Sequence, residues 1–208
     1  LGTDDEAMGQ FSRRMRSGTL KYLCSSLLDA SSLGKAMYRF TRFWNLLLDD
    51  YQFNYREHSG QVVISLEARD ATANAQRWGH ELMMKLAHGV ASWLAGQEIP
   101  LHSVMFSFAK PVYASEYMHI FPAPISFDQP CTALCFGVEW AEMKFRRSKA
   151  ELLPFLQAAP RYWLFTTLKE RLVAQQVRQY LLTNLKRDDS IQSAANALLL
   201  SNPSNRKR

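Results

Sequence analysis

The sequence predicts an α+β fold in which helices pack on an antiparallel sheet, followed by a long C-terminal helix. Three observations predict it. Residues 51–68, YQFNYREHSGQVVISLEA, alternate apolar and polar twice around a His58-Ser59-Gly60 reversal. That is a hairpin with one apolar face, and strands joined so tightly must pair antiparallel. On either side of it, apolar residues recur at helical spacing. Finally, the stretch from Trp93 to Phe136 holds a Gly turn and short aromatic runs bounded by proline, the punctuation of short strands.

A chain of 208 residues that is 47% hydrophobic can bury one substantial core, which excludes disorder throughout. It contains no apolar run approaching the roughly 18 residues of a membrane span and no basic-then-apolar leader, so the expectation is a soluble, cytoplasmic protein with no membrane partner. Cys24, Cys131 and Cys135 are odd in number and lack metal-ligand spacing, and read as free, buried thiols. The net charge of +6 is unevenly placed. Residues 161–208 carry nine Lys/Arg against three Asp/Glu, leaving sixteen of each in residues 1–160. Contacts with a polyanion would therefore begin at the C-terminal end, unless these cations simply solvate a helix face.

Asp4, Asp5 and Glu6 precede Arg13, Arg14 and Arg16 in a loop-like opening, where the carboxylates read as an anchor or a solvated turn rather than an acid/base pair. From Gly18-Thr19 a first helix carries Leu20, Leu23, Cys24, Leu27 and Leu28. Ser31-Ser32 breaks and caps, and a second helix, about Leu33 to Asp49, carries Leu33, Ala36, Met37, Phe40, Trp44 and Leu47. After the hairpin, a polar stretch leads into a long helix from about Ala73 to Leu94, with Trp78, Leu82, Leu86, Val90 and Trp93 on one face. His80, Met84 and His88 fall on another face. Two histidines two turns apart lie roughly 12 Å apart along the axis, too far to share one ion, so no metal site is expected. VMFSFA, YMHIF and TALCFGV then read as three further strands, with PAPISFDQP as a connection. A short helix follows at Lys149–Leu156 and a long one at Tyr162–Leu185. The stripe Leu164, Leu168, Leu172, Val177, Leu181 and Leu185 either docks on the domain or pairs with its copy in a second chain. Lys186-Arg187-Asp188-Asp189-Ser190 then breaks the pattern and caps a last helix, SIQSAANALLLS.

DDEAMG from Asp4, the Gly18-Thr19 and Cys24 segment, SLGKAMYRFTRF from Ser32, WLAGQEIPL, EYMHIF from Glu116 and the FDQP…ALCF block, in that order, resemble the N-terminal sensor domain of a branch of AraC/XylS-type transcription regulators. The branch is called arabinose-binding by name. The resemblance covers about residues 2–185. It implies a bacterial regulator in which a DNA-binding domain of two helix-turn-helix units follows the sensor. Ile191, Ala194, Ala195, Leu198, Leu200 and Ser201 are similar to the opening helix and turn of the first unit, whereas Leu199 stands where Gly is usual and Pro203-Ser204-Asn205 replaces Arg-Thr-Leu. The division implied is 1–160 for effector sensing, 161–186 for linking and dimerisation, and 187–208 for an incomplete start of the reader. Without the helices that enter the major groove, this stretch is expected not to bind an operator specifically by itself.

The function that follows is ligand sensing and dimerisation that controls an attached DNA reader. A pocket would draw on Phe40 and Trp44 of the second helix, Tyr55 of the hairpin, Trp78 and Met84 of the long helix, and Phe106 and Phe108 beyond it. Such side chains suit a small apolar effector, and nothing among them identifies a sugar site. Leu164, Leu168, Leu172, Val177 and Leu181 would form a homodimer seam, and Lys186 and Arg187 would contact DNA phosphates in the intact regulator, positioning without specifying. The alternative is a purely structural dimerisation module whose core is sealed. No phosphate-cradling Gly loop, Ser elbow or His pair at i, i+4 is present, so neither an enzyme nor a cofactor is expected.

Overall fold

The hairpin forms where the alternation places it. In the computed structural model, which describes residues 5–71, 73–145 and 147–158, β1 (Tyr51–His58) pairs with β2 (Gln61–Ala68) from Tyr51↔Ala68 to His58↔Gln61. Ser59 and Gly60 both take positive φ, 50° and 76°, as a two-residue type I′ turn requires. Three strands follow, β3 (Leu101–Met105), β4 (Ile125–Ser126) and β5 (Thr132–Gly137), and the sheet order is β1-β2-β5-β3-β4. β5 lies at the centre, antiparallel to both β2 and β3, and is buried along its whole length. A near-continuous apolar run is what such a strand needs. β4 alone runs parallel to its neighbour, so the sheet is antiparallel with one short parallel edge.

The other edge is closed by a side chain. Asn45 donates from Nδ2 to the Phe53 carbonyl and accepts the Phe53 N–H on Oδ1, both at 2.7 Å, so the outer backbone of β1 is partly occupied. The same clamp explains why helix α2 spans Leu33–Asn45 instead of running to Asp49. Its start is fixed by Ser32, whose Oγ accepts the Lys35 N–H, and by the loop carbonyls of Met143 and Ala141, which accept the N–H groups of Leu33 and Gly34. Before it, α1 (Thr19–Leu27) turns Leu23, Cys24 and Leu27 inward.

Helix α3 (Arg77–Ala95) begins four residues later than the sequence suggests. The Ala75 N–H donates to the Tyr51 hydroxyl at 3.1 Å, and Gln76 is extended, so the preceding segment is held out of the helix. The helix is also rotated from the expected face. Its most deeply buried residues are Met83, Met84, Ala87, Val90, Ala91 and Leu94, while Trp78 is 37% exposed. Lying between α2 and β5, α3 also buries His80, Lys85 and His88.

The region after Met105 departs furthest from expectation. The EYMHIF stretch, expected as a strand, is a 3₁₀ turn (Ala114–Glu116) running into the one-turn helix α4 (Tyr117–Ile120). Tyr117 and Phe121, four residues apart, both reach the Phe106 ring, at 5.3 and 5.8 Å between centroids. A strand would keep them on one face but about 13 Å apart, too far for both to reach one ring. The strand of this region comes from the proline-rich stretch instead, as β4. Helix α5 (Lys149–Ala158) closes the described chain; Phe155 stacks on Trp93 at 4.4 Å, and the Arg147 guanidinium donates to the Trp93 carbonyl and to Glu151. The helices expected at 162–185 and 190–201, with the three-part division drawn there, lie outside the described residues. Among the described residues no helix is long and apolar enough to cross a membrane.

Candidate effector-binding site

The seven residues expected to line a pocket fall into separate places. Phe40 and Trp44 are buried on α2, and Phe40 meets Phe53 edge-on at 5.6 Å. Phe106 is the hub of a second ring cluster, stacked on Phe108 at 4.8 Å and Phe127 at 5.8 Å and edge-on to Tyr117 and Phe121. Met84 is fully buried on α3. Trp78 is largely at the surface. These side chains pack on protein. The indole N–H of Trp44 is buried without a hydrogen-bond partner.

Polar groups of α3 tie down the second cluster. Lys85 is buried and donates from Nζ to the Ile120 carbonyl at 2.5 Å, with the Phe121 ring centroid 5.5 Å away. The Tyr117 hydroxyl donates to the Glu81 carboxylate. Burial and the neighbouring carboxylate raise the Tyr117 phenol above its ordinary range, so it remains a donor. The two histidines set aside as metal ligands have partners of their own: His80 Nδ1 lies 2.9 Å from Thr132 Oγ1, and His88 Nε2 lies 2.8 Å from the Ile99 carbonyl. Burial lowers His80 to about 4. Cys24 and Cys135 are buried and Cys131 half-buried, all as free thiols, and burial pushes Cys24 up to about 12.

Tyr55, one of the seven, lines a cleft. It has a volume of about 260 Å³ between the first turn of α2, β1 and the loop after β5, and its walls include Lys35, Tyr38, Tyr55, Glu57 and Glu142. Backbone geometry builds it. Gly34 brings α2 so close to the hairpin that an added Cβ would sit 2.7 Å from the Tyr55 hydroxyl and 3.0 Å from Ala141 Cβ. Tyr55 donates to Glu57 Oε1 at 2.5 Å, and the rings of Tyr38 and Tyr55 meet edge-on at 6.4 Å. Burial, then Glu57, holds the Tyr55 phenol above its ordinary value. The cleft thus offers two carboxylates, an ammonium, a phenol oxygen whose own hydrogen is held by Glu57, and two aromatic faces. That set suits a ligand with several hydroxyl or amine hydrogens and an apolar side to lay on a ring.

Tyr38, Glu57, Lys35 and Glu142 were missed from the sequence. Tyr38 left a usable signal: it lies off the apolar stripe of α2 and is 52% exposed, an aromatic on a polar face. The carboxylates left none, because their convergence depends on the close approach at Gly34.

Residues 2–145 match the arabinose-binding domain found at the N-terminus of AraC transcription regulators. Among solved structures, the transcriptional regulator CdpR from Pseudomonas aeruginosa is similar at 18% identity with a TM-score of 0.42, over 88% of this chain and 59% of that one. The chain therefore spans about three-fifths of that regulator's length. No curated protein sequence matches significantly. A sensor domain of this kind belongs to a transcription regulator, not to an enzyme class, and the mixed α and β architecture built on the 51–68 hairpin is the one expected from the sequence. With well over half of its length inside that match, the chain belongs to the family of arabinose-binding N-terminal domains of AraC-type transcription regulators.

Proposed function

We propose that the chain senses a small polar effector in the Tyr38–Tyr55 cleft and, in an intact cytoplasmic regulator, passes that binding through residues 161–186 to a DNA reader. The observation that carries the sensing site is the convergence of Tyr38, Tyr55, Glu57, Glu142 and Lys35 on one cleft inside the family-matched region. About 260 Å³ lies just below the roughly 300–1,000 Å³ usual for ligand pockets, a size for a monosaccharide or a short amine. Phe40, Trp44, Met84 and Phe106, from which an apolar effector is expected, are buried in the core, so the open cleft at Tyr55 favours a polar one. Homodimerisation through Leu164, Leu168, Leu172, Val177 and Leu181, and phosphate contacts by Lys186 and Arg187, belong to the same reading. They supply the second state that an effector must favour.

The test is calorimetric titration with pentoses, hexoses and short amines, supported by thermal shift. A ligand at a hundred times its Kd should stabilise the chain by about 2.7 kcal/mol. Tyr55→Phe and Glu57→Gln should each weaken it about tenfold, and Gly34→Ala, which drives a methyl into the Tyr55 hydroxyl, should weaken it further. Binding of aliphatic acids that survives all three substitutions would return the effector to the core. A chain that binds nothing in the panel yet dimerises fits the purely structural module.

A further inference from the structure

A second cleft lies on the opposite side of α2's sequence, between its C-terminal turn and the arm formed by residues 5–18. It has a volume of about 530 Å³ and is lined by Arg13, Arg14, Met15, Arg16, Thr19 and Leu47. Between Glu6 and Asp29 the sequence holds Arg13, Arg14, Arg16 and Lys21 and no carboxylate. Of the nearby acids, Asp5, Glu6 and Asp49 are already engaged, and Asp50 keeps one buried oxygen without a hydrogen-bond partner. Asp5 accepts the N–H groups of Ala7, Gly9 and Met15, and Glu6 accepts those of Gly18 and Leu20. One oxygen of Asp50 accepts the Ser12 N–H. Asp49 pairs with Arg13 at 3.0 Å, and Arg13 also donates to the Leu46 carbonyl. Among the described residues, Arg14 and Arg16 make no ion pair.

We infer that this cleft binds a small amphipathic anion, a carboxylate or phosphate head held by Arg14 and Arg16 with its apolar part over Leu47. Guanidinium groups are the side chains best matched to such a head, because they present paired donors in a plane. The loop that carries them is fixed in advance. Met15 is 1% exposed, its N–H is bound to Asp5 and its carbonyl accepts the Glu6 N–H at 2.7 Å, so the backbone that carries the two arginines needs no ordering on binding. The Arg13–Asp49 pair fixes the third guanidinium at the rim. Nucleic acid phosphates share the head-group chemistry, but a duplex has no use for the apolar floor, and that difference separates the two sources.

The experiment is titration of the full chain with octyl phosphate and with inorganic phosphate at constant ionic strength. Octyl phosphate should bind with a Kd below about 1 mM and several-fold more tightly than inorganic phosphate. The Arg14→Gln/Arg16→Gln variant should weaken both by about tenfold or more while its circular dichroism and thermal midpoint stay those of the parent. Lys110→Gln/Lys144→Gln, which removes the same charge elsewhere, and Tyr55→Phe should leave both affinities unchanged. The inference is overturned if neither anion binds at about 10 mM, if the lysine variant loses as much as the arginine variant, or if a random-sequence duplex binds through Arg14 and Arg16 and octyl phosphate fails to displace it.

Discussion

His80 is the residue whose ionisation matters most to stability. It sits under the sheet with the Tyr51 ring 5.4 Å and the Phe108 ring 5.9 Å away, its Nδ1 on Thr132, and burial alone lowers it from 6.5 to about 4. The unfolded chain binds a proton there at a pH where the folded chain does not. Its contribution is therefore complete above pH 6.5, is lost as pH falls from 6.5 toward 4, and changes no further below that, with a total of about 3 kcal/mol. Glu151 acts the same way in a lower window: its carboxylate is lowered to about 2 by the Ser148 N–H and the Arg147 guanidinium, so what it contributes is lost only below pH 4.5. The two windows meet only between pH 4 and 4.5. Urea unfolding at pH 7.5 and pH 5 should show a smaller loss in His80→Gln than in the parent, since the amide can still face Thr132 but cannot titrate. Equal losses would remove His80 from the acid sensitivity. The i, i+4, i+8 spacing of His80, Met84 and His88 was plain in the sequence, but its meaning was not. It marked the face that α3 buries, and only burial tells a core histidine from an exposed one.

At the scale of elements, the arm of residues 5–18 is held by two carboxylates. Asp5 closes its turn by accepting three backbone N–H groups at 2.8–3.0 Å, across the left-handed residues Met8 and Gly9. Glu6 accepts the Gly18 and Leu20 N–H groups at the start of α1, a helix whose N-cap residue is a glycine with no side chain to serve. Phe11 adds an edge-on contact with Tyr51 at 5.8 Å. Asp5→Ala should cost about 2 kcal/mol in urea unfolding, within the range for losing charge-assisted bonds to partly solvated donors, and should speed hydrogen exchange at Ala7, Gly9 and Met15. An unchanged midpoint with unchanged exchange would mean that the arm is held by Phe11 and Met15 alone. The sequence allowed for the acidic cluster as an anchor, and could not say for which N–H groups. The hairpin, α1 and the start of α2 were legible because alternation, stripe and Ser32 cap each agree with the final packing. EYMHIF was not. Its short aromatic run before Pro122 satisfies a strand pattern locally, and the decision for a helical turn was made by Phe106, more than ten positions upstream, which Tyr117 and Phe121 both reach.

For the whole molecule the same division holds between what periodicity carries and what close approach decides. The core residues of α1 and α2 were readable as stripes, and most of the pocket candidates lie buried, since a buried aromatic and a ligand-facing aromatic obey the same period. The cleft at Tyr55 depends on Gly34 having no side chain, which no spacing records. The dimer proposal rests on spacing of the first kind and faces the same ambiguity. Leu164, Leu168 and Leu172 recur every four residues, and on the proposed helix such a stripe is covered by this chain or by a second copy. The two coverings differ in what a charge does to them. Leu168→Asp/Leu172→Asp in a seam between copies separates the copies and leaves each one folded, because the carboxylates then reach water. The same pair docked within one chain strands two carboxylates in an apolar contact and lowers the unfolding midpoint. Sedimentation at roughly 100 μM, a hundredfold above a micromolar Kd, should find the parent dimeric and the variant monomeric at the parent's thermal midpoint. A parent that stays monomeric, or a variant that stays associated, removes this helix as the seam. A monomeric parent whose variant melts earlier assigns the stripe to its own domain, and an effector would then have to act on the DNA reader without a second subunit.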